Sequence, residues 1–405
     1  MRARGTSPLL PRGGCWPNPE QELLLQAALF QGERSIHAWH LWKKGTDIEA
    51  STLDLSSFRL LPQVYRNLCD QGLSDPLIEK LKGIYRLHWY KNQRLFHHMT
   101  SVLRSFHAAG IKTMILKGTA LSLQYYRDYG LRAMGDFDVL VPTQQALKAI
   151  ALLTSMRWTT RGIALEALTE DYRAVRHSQA FRDSSDCELD FHWHILPENL
   201  AADADDDFWE GAHEVKIQDL PTVTLNPTDQ LLHVCVHGAV WDAVPHVRWV
   251  ADAMMILKVA KSEIDWSRLL IQARKRQLVI PLRETFAYLR DKFDAPVSAE
   301  TLKALQNTPA SNREYRVYRY STSPPTFLSV LVKLWLINSR LTGSVGFWKR
   351  LMQFSKNLPY WNMPPLWKVP FHIIFRGARK LGRIMLWYTS QFFKKPRAAY
   401  GQPSH

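Results

Sequence analysis

Between Ile111 and Pro142 the chain reads IKTMILKGTALSLQYYRDYGLRAMGDFDVLVP, and this stretch constrains the fold more than any other. The apolar run Thr113-Met114-Ile115-Leu116 has the length and residue types of a buried strand. Lys117-Gly118-Thr119 comes next, followed by a helical stretch, then Leu131 to Gly135, and finally Asp136-Phe137-Asp138-Val139-Leu140-Val141. Alternation along a strand places Asp136 and Asp138 on one face, with Phe137 and Val139 on the other. Two carboxylates so close repel each other, and one tends to keep its proton. A divalent cation removes that conflict, and hard oxygen ligands suit Mg²⁺, which takes one or two carboxylates together with substrate phosphates. Gly118 lets backbone approach a ligand, and Thr119 can open a helix whose amides favour an anion. An Asp-x-Asp alone is commonly a solvated strand face. Here it follows a strand, a Lys-Gly-Thr turn and a helix, so a phosphate cradle and a metal-binding pair fall in one segment.

A second acidic strand lies downstream. In Cys187-Glu188-Leu189-Asp190-Phe191-His192-Trp193-His194, alternation puts Glu188, Asp190 and His192 on one face and Leu189, Phe191 and Trp193 on the other. Such a face is either solvated or used. His192 can orient a carboxylate or touch phosphate, whereas His194 is expected to face solvent or a loop.

LKGTAL, then LRAMGDFDVLV, closely resembles the bacterial uncharacterised nucleotidyltransferase family (nucleotidyltransferase family 5) of the DNA polymerase beta-like nucleotidyltransferase superfamily. The superfamily pattern is Gly-Gly or Gly-Ser at a helix start, Asp-x-Asp on the next strand, and a third carboxylate on a later strand. Thr119 stands where Ser is usual but keeps the hydroxyl. The gap to Asp136, which holds Tyr125, Tyr126 and Arg132, is longer than in most of the superfamily and matches this particular family. The resemblance covers roughly residues 20 to 395.

The resemblance implies an α+β fold, a small mixed β-sheet nucleotidyltransferase core flanked by N- and C-terminal helical regions. It also implies a metal-dependent transferase that moves an NMP from an NTP to a hydroxyl acceptor and releases pyrophosphate. On that implication Asp136, Asp138 and Asp190 are catalytic and bind Mg²⁺ or Mn²⁺, with Glu188 the fallback for Asp190. Lys117, Gly118, Thr119 and Arg132 bind the nucleotide. Glu188, His192, Arg248 and Asp252 are candidate pocket residues, the last two from an Arg-Trp-x-x-Asp pattern that the family shares. The acceptor stays open among small molecules, polysaccharide intermediates, peptides, proteins and RNA termini. The competing class is a non-catalytic nucleotide-binding protein docked at a membrane surface or biosynthetic complex.

Composition sets the surroundings of this core. The 405 residues have the apolar and charged fractions of a globular protein of two or three domains. Four cysteines without framework spacing suit a reducing, cytoplasmic setting. Neither a signal-peptide apolar region nor a run long enough to span a bilayer is expected. The formal charge of +15 is carried by the tail, because Tyr315 to His405 hold 15 Lys and Arg and no Asp or Glu.

The expected division is a disordered N-terminus over 1–18, a helical cap over 19–107, the nucleotidyltransferase core over 108–225, a helical domain over 226–315 and a basic aromatic amphipathic tail over 316–405. Within the cap, Pro62 is expected to break or kink the helix over Phe58–Leu68. The acidic run at 199–210 is expected to be a solvated loop. His233 and His237, at i and i+4 on one helix, have zinc-ligand spacing without an HExxH context, so a structural or substrate-facing role is preferred. The tail suits helical packing, an anionic membrane surface or single-stranded nucleic acid, in that order, and allows peripheral contact with the inner membrane face.

Overall fold

The computed structural model describes residues 13–46 and 53–371. The chain divides into two compact units, Met1–Gly343 and Ser344–His405. Five helices open the first unit: α1 (Pro19–Leu29), α2 (Glu33–Gly45), α3 (Leu55–Phe58), α4 (Leu61–Asp70) and the long α5 (Ile78–Ala108). Pro62 falls in the first turn of α4, where its missing N–H has no intrahelical partner to lose, so it starts a helix rather than breaking one. Residues 1–12 of the expected disordered segment lie outside the described residues. Past them, Gly14 forms a β-bridge with Asp242 and Cys15 is buried.

The α/β portion follows, as β1 (Met114–Leu116), α6 (Lys117–Leu121), β2 (Asp136–Leu140), α7 (Ala146–Ser155), β3 (Thr159–Thr160), α8 (Glu170–Arg173), β4 (Ser178–Arg182), β5 (Glu188–His192), α9 (Asp206–Glu210), β6 (His213–Ile217) and β7 (Leu220–Thr224). A π-helical turn, Ser122–Tyr126, extends α6. The seven strands form one mixed sheet in the order β3-β4-β5-β2-β1-β7-β6. β2 runs parallel to β5 and β1 parallel to β7, and the remaining pairs are antiparallel. The β6–β7 hairpin, turning at Gln218 with φ 53°, was not expected from the sequence, although Glu214 to Ile217 alternate polar and apolar. The acidic run is not a plain solvated loop either. It includes α9, and its Asp205 is buried against His194.

The apolar face of the sheet explains its position. Phe137, Val139, Leu189 and Phe191 are all buried. Phe191 meets Phe106 of α5 and Phe181 of β4 edge-on, with ring centroids 6.2 and 6.0 Å apart. That packing turns the acidic face the other way.

After the sheet the unit is helical: α10 (Pro227–Gly238), α11 (Arg248–Val259), α12 (Trp266–Arg276), α13 (Val279–Phe293), α14 (Ala299–Asn307), α15 (Asn312–Ser321) and α16 (Phe327–Leu341). The fold is thus α+β, a mixed sheet flanked by helical regions on both sides in sequence. The second unit contains α17 (Phe347–Asn357), on which Phe347, Trp348 and Met352 are exposed. The expected amphipathic segment Phe371–Phe393 lies, beyond its first residue, outside the described residues. No described helix is long and apolar enough to cross a membrane.

The approach of α10 to α11 is set by one residue. A Cβ on Gly238 would lie 2.0 Å from Cβ of Trp249, whose position is fixed by its own backbone. Gly238→Ala should therefore push the two helices apart and cost about 1–3 kcal/mol. Urea unfolding that shows a midpoint equal to the parent protein's would contradict this packing.

Candidate active site

Strand pairing builds the site. In the parallel β2–β5 register, Asp136 lies beside Glu188, Asp138 beside Asp190 and Leu140 beside His192. Across the antiparallel β1–β2 pair Leu116 faces Asp138, so Lys117, the next residue, emerges at the carboxylates. Lys117 takes a left-handed φ of 45°, a conformation that side chains with a Cβ seldom adopt outside turns and functional sites.

The Lys117 ammonium stands 2.6 Å from Asp138 Oδ1 and 3.3 Å from Asp190 Oδ2. His192, only 1% exposed, directs Nε2 at the same two carboxylates, 2.9 Å from Asp190 Oδ2 and 3.2 Å from Asp138 Oδ1. Its Nδ1 lies 3.3 Å from the carbonyl of His194. Burial opposes charge on all four groups, but mutual pairing overcomes it. The Lys117 pKa is raised by Asp138 and Asp190, and Asp138 is lowered by Lys117. Asp190 is held well below the usual carboxylate range by His192 and Lys117, and His192 is pushed up to about 9 chiefly by Asp190. Asp136, at the solvent-touched rim, is pushed up to about 6 by desolvation in the cleft and by the Asp138 charge.

The Asp138 and Asp190 carboxylates suit a hard divalent cation, whereas His192, pushed up to about 9, is their hydrogen-bond partner rather than a ligand, and Asp136 lies outside the close group. One atom each from Asp138, Asp190 and His192 lie within 4.8 Å of one another, and a cation, the Lys117 ammonium, already sits among them. Glu188 is placed differently. Its Oε1 is bound by Arg161 at 2.7 Å and Arg182 at 2.5 Å toward the sheet edge.

The carboxylates face a cavity of about 320 Å³ whose lining includes Lys117, Gly118, Arg132, Asp136, Asp138 and Glu188. Arg59, His233, His237, Arg248 and Asp252 complete its polar wall. Arg132 is buried and held by Asp252 in a two-pronged pair, Nε–Oδ1 2.9 Å and Nη2–Oδ2 2.8 Å, and Tyr126 donates its hydroxyl to Asp252 Oδ1 at 2.8 Å. Arg248 donates to the carbonyl of Ala133. Burial, with repulsion from Arg132 and Arg59, pushes the Arg248 guanidinium down to about 9.

Gly118 makes room for side chains rather than for an approaching ligand backbone: a Cβ there would meet Arg132 Nη1 at 2.4 Å and Met134 Sδ at 2.8 Å. Thr119 does not line the cavity. It is fully buried, and its hydroxyl has no partner among the described residues. His194 is buried rather than solvent-facing, with Nδ1 2.7 Å from Asp205 Oδ2, because Trp193 and His194 both tuck their N–H groups against the His177 carbonyl. His233 is also buried, and neither ring nitrogen has a partner among the described residues. Burial and the charges of Lys117 and His192 push its pKa down to about 3, so it is neutral.

Two residues of the site were missed in the sequence. Arg59 lies in the turn between α3 and α4, and His177 packs its ring 5.5 Å from that of His192. Arg59 lies at the start of the stretch read as a helix over Phe58–Leu68 and His177 in a poorly patterned one, and in neither case does a local signal point to a site reached only by long-range contacts.

Residues 55–294, more than half of the chain, match the model of the uncharacterised nucleotidyltransferase family, and the chain belongs to that family. Among solved structures it is similar to an antigenic nucleotidyltransferase-like protein from Paracoccidioides brasiliensis. The two are 12% identical over 55% of this chain and 96% of that one, with a TM-score of 0.34, a likeness too loose to bear on site or function. No curated protein matches the chain.

Removing Asp252 strands the buried Arg132 guanidinium. Asp252→Ala should cost about 3–5 kcal/mol, whereas Arg132→Met combined with Asp252→Leu should recover much of that loss. A double-mutant cycle by urea unfolding measures it, and strictly additive losses would contradict the pairing.

Proposed function

We propose that the protein transfers a nucleoside monophosphate from an NTP to a hydroxyl acceptor and releases pyrophosphate. The observation that supports this most is the side-by-side placement of Asp138 and Asp190 around a cation, with Asp138 in the wall of a cavity that Arg59, Arg132 and Arg248 also line. Carboxylates for a metal and guanidiniums for a polyphosphate meet there within one cleft.

Asp136, Asp138 and Asp190 would hold the divalent cation, Mg²⁺ or Mn²⁺, which supplies charge to offset that of the triphosphate and the departing pyrophosphate. His192 pairs with Asp138 and Asp190 and fixes their orientation. Lys117 exchanges carboxylate for phosphate oxygens when the nucleotide enters, and Arg248 and Arg59 take negative charge that Asp252 already supplies to Arg132. The acceptor oxygen attacks the α-phosphorus and the bond to the β-phosphate oxygen breaks. The hydroxyl proton passes to Asp190. Gly118 stays small so that Arg132 and Met134 can close the floor of the cleft.

The exposed Phe347, Trp348 and Met352 beside Lys349 and Arg350 on α17 suit contact with an anionic membrane surface, which would place the enzyme at the cytoplasmic face of a membrane.

Purified protein with Mg²⁺ or Mn²⁺, α-labelled NTPs and cell extract tests the reaction. Label should move to an acceptor with the parent protein. Asp138→Ala and Asp190→Ala should each reduce transfer by at least about a thousandfold, while circular dichroism shows the same fold. Full activity in Asp138→Ala would remove the mechanism. A dead Glu188→Ala beside an active Asp190→Ala would move the third carboxylate to Glu188. Absence of both NTP binding and transfer would favour a non-catalytic binding protein.

A further inference from the structure

A second cavity, of about 350 Å³, adjoins the first. His237 and His246 line both. His177, in the wall of the second, packs on His192, which in turn holds Asp190. The second chamber thus communicates with the cleft past His237 and His246, while His177 and His192 stand between its wall and Asp190. Its walls are largely apolar, with Leu196, Val236, Leu278, Val317, Leu336 and Ile337 among them.

Both carboxylates and guanidiniums line this chamber. Its carboxylates are already engaged: Glu198 with Lys333 at 3.4 Å, Asp242 with His246 at 2.9 Å, and Glu314 with the backbone N–H of Ile280 at 2.9 Å. Two lining guanidiniums make no direct ion pair, although Glu198 and Glu314 lie near enough to Arg340 to favour its charge. Arg340 donates to the carbonyl of Arg276 at 2.9 Å, and neither it nor Arg313 has a carboxylate within ion-pair distance among the described residues. An apolar chamber of this size, with a few polar groups at defined points, has the character of a small-molecule site.

We propose that this chamber binds the acceptor, and that the acceptor is a small hydroxyl compound with an apolar body and one acidic group, carboxylate or phosphate, that meets Arg313 and Arg340. The inference rests on the nucleotidyl-transfer reading above. The acceptor's apolar part fills the space between Val236, Val317 and Leu336, and its acidic group pairs with the guanidiniums. Its hydroxyl end reaches into the cleft past His237 and His246, where Asp190 takes the proton as the oxygen bonds the α-phosphorus and pyrophosphate leaves. A nucleobase would suit the apolar walls but would leave both guanidiniums without a direct ion pair.

Calorimetric titration of the full-length protein with 10-hydroxydecanoate, 10-hydroxydecyl phosphate and the neutral 1,10-decanediol tests this. At least one acid should bind, and the diol should bind at least tenfold more weakly. Arg313→Glu should weaken the acid at least tenfold and leave the diol unchanged. Residue 313 lies in the first turn of α15, where a carboxylate suits the helix N-terminus, so that variant should fold. Leu336→Trp, which fills the chamber, should abolish binding of all three, and Asp138→Ala should bind the acids as the parent does. Failure of both acids to bind overturns the proposal, as does equal binding of the diol. Loss of ATP binding in Leu336→Trp would assign the chamber to the base and overturn it too. Transfer of α-label in extract that persists unchanged in Arg313→Glu and Leu336→Trp would sink this inference alone. Acid binding without transfer from any NTP would sink the nucleotidyl-transfer reading and leave the chamber's ligand class standing.

Discussion

The site depends on keeping two like charges side by side. Asp138 and Asp190 occupy neighbouring positions on parallel strands, with oxygens no more than 4.8 Å apart. At an effective dielectric near 20, that repulsion is about 3–4 kcal/mol. The sheet tolerates it because Lys117 and His192 bring cationic groups to the same oxygens. The left-handed backbone at Lys117 follows from this requirement, since it lets a residue at the end of β1 reach back over β2 and β5.

A second imbalance, opposite in sign, lies across the cleft. Arg59, Arg132 and Arg248 share a small space with one firm counter-ion, Asp252. Carboxylates seeking a cation thus face guanidiniums short of an anion. The two charge clusters, each partly compensated from within the protein, face each other across one cleft.

Much of this was legible in the sequence where patterning is strict. The alternation of Asp136-Phe137-Asp138-Val139 and of Glu188 to His192 predicts both strands and their acidic faces, because a sheet with one packed face leaves no other register. The sequence does not say that β2 and β5 are neighbours, which only the topology decides. It also misleads at His194 and Asp205, where a histidine and an acidic run that read as solvated form a buried pair. Arg59 and His177 escaped because their contacts are long-range. Thr119 illustrates a further limit: a motif names the residue type at a turn, but whether its hydroxyl points at the cleft or into the core depends on what packs around it.

The pairing of Arg132 with Asp252 joins residues 120 apart, one preceding the acidic strand and the other on α11. Cutting the chain after the sheet would leave that guanidinium in the interior facing nothing. The α/β portion and the helices after it are thus tied by a buried ion pair, and position 252 can change without loss only if position 132 changes with it.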